Sequence, residues 1–209
     1  KGVGLTSGYL YPGATYPYGM VQFTPSYFSK RSGFVINQLS GGGCEHMGNF
    51  PTFPVKGKLK MSPDNILNYR INISEEKGHA GYYEAKVQED IHAKLTVTER
   101  TGMASYEYPA DQQYGTVIIG GGISATPIDQ AAIVITAPNK CEGYAEGGNF
   151  CGLRTPYKVY FVAEFDTDAL ESGTWKRDEL KPNTTFAEGE YSGVYFTFDV
   201  NKKKNIQYK

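Results

Sequence analysis

The sequence lacks the long apolar runs and the charge excess that would place it in several functional classes. No apolar run approaches the length needed to span a bilayer. Lysine and arginine together number 21, aspartate and glutamate 22, and the net charge is -1. The single basic run, at residues 202–204, is expected to be a solvated patch. We therefore expect neither nucleic acid nor a membrane as a partner.

Cysteines are few, and their number is odd. Cys141 and Cys151 flank a glycine-rich segment that is predicted to be a hairpin tip, which a disulfide between them would close; two buried thiols are the alternative. Cys44 would remain unpaired in the first case. No Cys-x-x-Cys or His-Glu-x-x-His spacing occurs, so no metal site is expected in this chain.

Helical periodicity is also nearly absent, whereas apolar and polar residues often alternate. The alternation is cleanest at residues 82–88 and 91–98, which predict a β-hairpin with one face in water. Further strands are predicted at residues 20–24, 33–38, 55–61, 106–108, 116–119, 132–136, 157–165 and 194–200. Residues 168–178 are the only span whose pattern allows a short helical turn. This pattern favours an all-β fold, a large antiparallel β-sandwich that forms a single domain over residues 1–209.

A glycine-rich segment after the predicted strand at residues 33–38 carries the densest set of polar groups. Glycines let the backbone approach a ligand closely, and loops on a rigid β scaffold are where binding residues collect. A turn whose polar groups only satisfy the local backbone is the alternative. The candidate binding residues are Gly42, Gly43, Cys44, Glu45, His46 and Asn49.

The other sequence patterns add no candidate site residue. His79 falls in a predicted turn and His92 on the wet face of the predicted hairpin. The three glycines at residues 120–122 lack the spacing and the helix of a dinucleotide-binding loop. Ser40 lacks the context of a nucleophile elbow, so no catalytic residue is assigned. Residue chemistry alone therefore indicates a β-sandwich suited to binding a neutral, polar ligand.

Three stretches together resemble the N-terminal domain of glycoside hydrolase family 92. Residues 11–25 are similar to that family's Pro-Gly-Ala-Thr-x-Pro-Phe-Gly-Met-Val-Gln-x-Ser-Pro. Residues 33–44 are similar to its Gly-Phe-Ser-His-Thr-His-Leu-Ser-Gly-x-Gly-Cys. Residues 81–83 and 95–102 match its Gly-Tyr-Tyr and Leu-Thr-x-Thr-x-Arg-x-Gly. The resemblance is strong to about Gly102 and thinner after it.

The resemblance implies the first part of a calcium-dependent, inverting exo-α-mannosidase, in which an (α/α)6 catalytic barrel follows the sandwich. It implies that the acid, the base and most calcium ligands belong to that barrel, which this chain does not contain. The sandwich would lend the glycine-rich loop to the sugar pocket. The partners implied are an α-mannoside or related glycan and the missing catalytic domain. The compartment implied is extracellular or periplasmic, although this chain includes no signal peptide.

One departure from the family concerns the strand before the loop. Ile36, Asn37 and Gln38 stand where the family has His-Thr-His, so the hydrogen bonds of those imidazoles are expected from Gln38 or His46. The preference for a particular mannoside linkage is open for the same reason. A stand-alone carbohydrate-binding module and a purely structural accessory domain are the alternatives.

Overall fold

The structure is a computed structural model that describes residues 12–26, 33–38, 47–64, 72–124, 126–150 and 152–209. These residues form seventeen strands. The strands are β1 (Ala14–Thr15), β2 (Gln22–Pro25), β3 (Phe34–Val35), β4 (Thr52–Lys56), β5 (Ile73–His79), β6 (Tyr82–Val87), β7 (Ile91–Val97), β8 (Gly102–Glu107), β9 (Tyr114–Ile119), β10 (Ile128–Ala137), β11 (Lys140–Phe150), β12 (Leu153–Glu164), β13 (Glu171–Lys176), β14 (Glu179–Pro182), β15 (Phe186–Glu188), β16 (Ser192–Asp199) and β17 (Asn205–Tyr208).

The strands make three sheets whose neighbouring strands are antiparallel. An eight-stranded sheet has the order β1-β2-β3-β4-β9-β16-β13-β14, a five-stranded sheet β17-β8-β7-β6-β5, and a four-stranded sheet β12-β11-β10-β15. The predicted all-β architecture of packed antiparallel sheets is therefore confirmed. The hairpin at residues 82–98 is also confirmed as β6 and β7, whose side chains alternate between the core and the surface.

The main core lies where the sheets face one another. Because strand side chains point alternately to opposite faces, the five-stranded sheet buries every second residue, including Ile91 and Leu95. Phe23 and Phe34 of the eight-stranded sheet belong to the same buried cluster, with their ring centroids 6.5 Å apart. The four-stranded sheet contributes Ile133 to this cluster, so one core joins all three sheets.

A second core lies on the other face of the eight-stranded sheet, around the fully buried Trp175. Ile118 and Tyr195 pack with it from β9 and β16. Because these two strands are covered on both faces, nearly every residue in them is buried, including Thr116 and Thr197.

Two sequence predictions fail here because the local pattern is overridden by pairing or by a turn. Residues 168–178 hold no helical turn; β13 occupies most of this span and pairs with β14 and β16. The strand predicted at residues 55–61 ends at Lys56, because Gly57 has a φ of 76° and redirects the chain.

Of the two alternatives for Cys141 and Cys151, the disulfide does not form, because Cys141 is a free, buried thiol. The glycine-rich segment after it is not a hairpin tip but the body of β11, which pairs with β10 and β12. The buried-thiol alternative is confirmed for Cys141, and Cys151 lies outside the described residues.

Candidate functional site

The glycine-rich loop is described only at its two ends. Gly42, Gly43, Cys44, Glu45 and His46 fall within residues 39–46, which lie outside the described residues. The predictions made for these five residues therefore stay predictions. The end before the loop includes Asn37 and Gln38, and the end after it includes Met47 and Asn49.

Two asparagine side chains join these ends. The Asn37 Nδ2 donates to the Asn49 Oδ1 at 3.0 Å, and the Asn49 backbone N–H donates to the Asn37 Oδ1 at 2.7 Å. Asn49 is fully buried and Asn37 is half-buried. We call this pair the asparagine clamp. It fixes the separation of the two loop ends with hydrogen bonds that solvent does not reach easily.

The chain leaving the loop adopts backbone angles that side chains rarely take. Met47, Gly48 and Phe50 have φ values of 57°, 72° and 53°. For residues other than glycine, such angles cost about 1–3 kcal/mol each and persist only when the surroundings impose them. Phe50 is held in this way, because its buried ring lies 4.1 Å from that of Phe161 on β12. The loop is therefore anchored to the four-stranded sheet.

Gln38 has a buried carboxamide that is left unsatisfied within the part of the chain that the structure describes. Its side chain is 1% exposed, and neither carboxamide atom has a partner among those residues. A buried polar group left unsatisfied costs about 1–3 kcal/mol. The expectation that Gln38 replaces a family imidazole is not tested by this geometry and stays a prediction.

Tyr157 of β12 adjoins the clamp. Burial raises the pKa of its hydroxyl, and hydrogen bonds with Asn49 and Ser124 act in the opposite direction. The group is therefore a neutral donor and acceptor near pH 7. Sequence reasoning missed Tyr157, because its neighbour Asn49 is distant in the chain and nothing in the alternation of β12 marks it.

An open cleft of about 510 Å³ adjoins the clamp. It runs along β12, and Asn37, Phe50 and Phe161 are among the residues that line it. Arg100 and Glu164 add charge at an otherwise mainly apolar wall. The cleft thus touches both the clamp and the sheet that anchors the loop.

The other histidines lie on the five-stranded sheet. His92 is exposed on β7, as predicted. His79 is the last residue of β5 and stacks on Tyr82 at 5.0 Å, so its placement in a turn is off by one residue. Within the described ranges, no group of three or more acidic, histidine or cysteine side chains is placed to hold a metal ion. No helix in this part of the chain is long and apolar enough to cross a membrane.

The packed antiparallel sheets define a β-sandwich domain. The sequence profile of the glycosyl hydrolase family 92 N-terminal domain matches residues 2–209. The chain belongs to this family.

Individual relatives agree with this assignment. A fungal protein of Arthroderma benhamiae, described as an uncharacterized secreted glycosidase, is 32% identical over 122 residues, which are 49% of this chain and 16% of that protein. A family GH92 alpha-mannosidase of Bacteroides thetaiotaomicron, solved in complex with mannoimidazole, is 22% identical with a TM-score of 0.81. A family GH92 inverting mannosidase of the same organism is 22% identical with a TM-score of 0.78.

At 22% identity, the likeness to these two solved structures shows only that the fold is shared. This chain is covered over 96% of its length in both, but it spans only 30% and 28% of those chains. It therefore corresponds to less than a third of either solved protein.

Proposed function

We propose that this chain is the non-catalytic N-terminal domain of a family 92-like α-mannosidase. In the whole enzyme it contributes loop residues to a pocket in which terminal α-mannosides are hydrolysed with inversion. The observation that carries the proposal is the family match over residues 2–209 in a chain that spans less than a third of its solved relatives. The names of those relatives support mannose as the sugar.

The pocket contribution rests on the clamped loop. The asparagine clamp and the anchored Phe50 hold both ends of the glycine-rich segment in fixed positions. A preorganised loop loses less entropy on binding than a flexible one. We propose that Gly42, Gly43, Cys44, Glu45 and His46 line the sugar site, with Asn49 setting the position of the loop behind them and Gln38 replacing a family histidine.

The reaction itself belongs to the missing domain in this proposal. Inversion needs two carboxyl groups about 6.5–9.5 Å apart with room for a water molecule. We assign both groups and the calcium ligands to the downstream catalytic domain. The secreted relative supports an extracellular or periplasmic location.

A comparison of two lengths of the protein tests the proposal. We expect the 209-residue chain to leave aryl α-mannosides intact. The full-length enzyme should hydrolyse them, and removal of calcium by a chelator should stop the reaction. Full-length protein that is folded but inactive on every α-mannoside tested would contradict the assigned activity.

A stand-alone carbohydrate-binding module is the second candidate, and exposed tyrosines favour it. Tyr16 is 49% exposed and Tyr160 69% exposed, and exposed aromatic rings are suited to stacking on sugars. Calorimetry with mannose and manno-oligosaccharides separates the two functions. Half of a pocket should bind with a Kd weaker than about 1 mM, whereas a binding module should bind more tightly.

A further inference from the structure

β12 is an edge strand in the described part of the molecule. It spans Leu153–Glu164 and pairs with β11 on one side only. Phe161 and Ala163 are opposite Gly143 and Cys141 of β11. The side chains of Tyr160 and Val162 are 69% and 55% exposed. An open strand edge that carries exposed apolar side chains is a template for pairing with another strand, and proteins ordinarily protect such an edge.

The hydrogen bonds at the end of β12 show which backbone groups are free. Glu164 exchanges two backbone bonds with Lys209: its N–H donates to the Lys209 carbonyl at 2.9 Å and its carbonyl accepts from the Lys209 N–H at 3.0 Å. The groups of Glu164 thus point away from β11. Because bonding direction alternates along a strand, Tyr160 and Val162 point the same way. Among the described residues, the outward N–H and carbonyl groups of Tyr160 and Val162 have no backbone partner.

Residues 207–209 already pair in an antiparallel manner with residues 164–166 at the end of β12. Phe165 is opposite Tyr208 in an antiparallel bridge, and the Asp166 N–H donates to the Gln207 carbonyl at 2.9 Å. Together with the Glu164 and Lys209 pair, these contacts make a short antiparallel ladder. Each further residue of the chain would stand opposite the preceding residue of β12.

The cleft described above occupies the space beside this edge. Its wall includes β12 from Val159 to Glu164, together with Tyr208 and Lys209. Val21 and Ile36 line the apolar opposite side. A strand placed along β12 would direct every second side chain into this cleft.

We infer that the residues directly after Lys209 continue β17 as a strand along the free edge of β12. The inference rests on the proposed function, in which the chain continues into a catalytic domain. The first four added residues stand opposite Ala163, Val162, Phe161 and Tyr160 in turn. The first and third added residues lie on the same face of the sheet as Ala163 and Phe161, which they oppose, and this face is directed toward the cleft. We expect both added residues to be apolar.

This strand also gives the downstream domain a defined position. Beyond Tyr160 it passes Val159 and then Tyr157, which adjoins Asn49 of the clamp. Phe161 is the residue on which Phe50 rests. The added strand therefore leads the chain past the anchor of the glycine-rich loop, and the following domain begins beside the loop that completes its pocket.

Paired cysteines in the full-length enzyme test the register. Val162→Cys is combined with a cysteine at the second position after Lys209, which should form a disulfide because paired Cα atoms in such a ladder lie about 5.5 Å apart. The matched control moves the second cysteine to the third position, on the opposite face. Peptide mapping should find the cross-link in the first variant alone. Equal cross-linking in both, or none in the first, overturns the inference.

Hydrogen exchange in the unmodified full-length enzyme is a second test of the added strand, and it needs no substitution. The amides of Tyr160 and Val162 should exchange within about tenfold of those of Phe161 and Ala163, since both sets would be bonded. Exchange more than about 100-fold faster at Tyr160 and Val162 would show an open edge and overturn the inference. Activity on α-mannosides is scored separately, so an active enzyme with an open edge refutes only the added strand. A protected edge in an inactive enzyme refutes only the proposed function.

Discussion

Asn37 and Asn49 show how single side chains hold the two ends of the glycine-rich loop together. Asn37 occupies the middle position of the segment in which the family motif has His-Thr-His, and its carboxamide makes both bonds of the clamp. The departure from the family motif is therefore accompanied by a local structural role for one of the replacing residues. Gln38, next to it, has a buried carboxamide without a partner among the described residues. Of these two neighbouring residues, Asn37 therefore supports the loop, whereas Gln38 has no such structural role in the described contacts.

Removal of the clamp should destabilise the domain. In Asn37→Ala, the buried N–H and side-chain oxygen of Asn49 lose their partners, and we expect the free energy of unfolding to fall by about 1–3 kcal/mol. Urea denaturation of the 209-residue chain measures the change. The control is Asn201→Ala at an exposed position, which should change the free energy by less than about 0.5 kcal/mol. Equal effects of the two substitutions would refute a stabilising clamp.

Gln38 should matter for activity more than for stability. Gln38→Met keeps the length of the side chain and removes the unsatisfied carboxamide, so the free energy of unfolding should stay the same or rise by about 1 kcal/mol. In the full-length enzyme, kcat/KM on an α-mannoside should fall about tenfold or more, as one lost hydrogen bond implies. Lower stability with unchanged kcat/KM would instead assign Gln38 to the scaffold.

At the scale of elements, the sequence predicted strands well where one face meets water. The hairpin β6–β7 is confirmed because its alternation is local and strict. The segment after Cys141 was misjudged because glycine normally weakens a strand, whereas pairing with β10 and β12 keeps this one extended. Pairing of this kind joins distant parts of the chain and leaves no local signal. The same reason explains why β13 was expected to include a helical turn.

The candidate site was predictable only in outline. The glycine-rich segment and its polar residues are visible in the sequence, and the family resemblance adds their expected role. The clamp is not visible, because the pairing of two carboxamides depends on how the chain folds back after the loop. Tyr157 was missed for a similar reason, since it lies on β12 whereas its partner Asn49 lies in the segment before β4, far away in the sequence.

The centre of the eight-stranded sheet depends on a glycine opposite a tryptophan. Gly193 pairs with Trp175, and a methyl group on Gly193 would overlap the Trp175 ring and the Ile119 carbonyl. Gly193→Ala should therefore lower the free energy of unfolding by about 3 kcal/mol, as overpacking of a rigid core does.

Gly57→Ala provides the matched control for that substitution. Gly57 has a φ of 76° and no atom within 4 Å of an added methyl group, so only the backbone cost of about 1 kcal/mol is expected. Urea denaturation of both variants measures the difference. A loss at Gly193 no larger than that at Gly57 would contradict the packing described for Trp175.

At the scale of the whole molecule, buried tyrosines tie stability to pH. The Tyr208 hydroxyl donates to the Thr52 Oγ1 at 2.7 Å, so the Tyr106 hydroxyl donates to the Tyr208 hydroxyl at 3.1 Å. Burial raises the pKa of Tyr106, Tyr108 and Tyr208 above the usual value near 10. The hydroxyls of Tyr106 and Tyr208 link β17 and β8 to β4. The folded state therefore favours the protonated form of these hydroxyls.

Stability should fall steeply above pH 10. Below that pH these tyrosines are protonated in both states, so their contribution is complete. Above it the unfolded chain loses their protons while the folded chain keeps them, which costs up to about 1.4 kcal/mol per pH unit for each tyrosine. Urea denaturation between pH 8 and 11 measures the slope, and absorbance at 295 nm reports ionisation. Tyr208→Phe should reduce the slope, and ionisation of these tyrosines before unfolding would contradict their burial.

The glycine-rich loop as part of a mannoside pocket is the central claim, and one kinetic measurement tests it most directly. Glu45→Ala combined with His46→Ala in the full-length enzyme should lower kcat/KM on an aryl α-mannoside by about tenfold or more, since each loses a sugar contact. The melting temperature should stay unchanged, because the clamp and the anchor of the loop remain. A kcat/KM within about twofold of the unsubstituted enzyme would contradict the account and leave the domain a purely structural accessory.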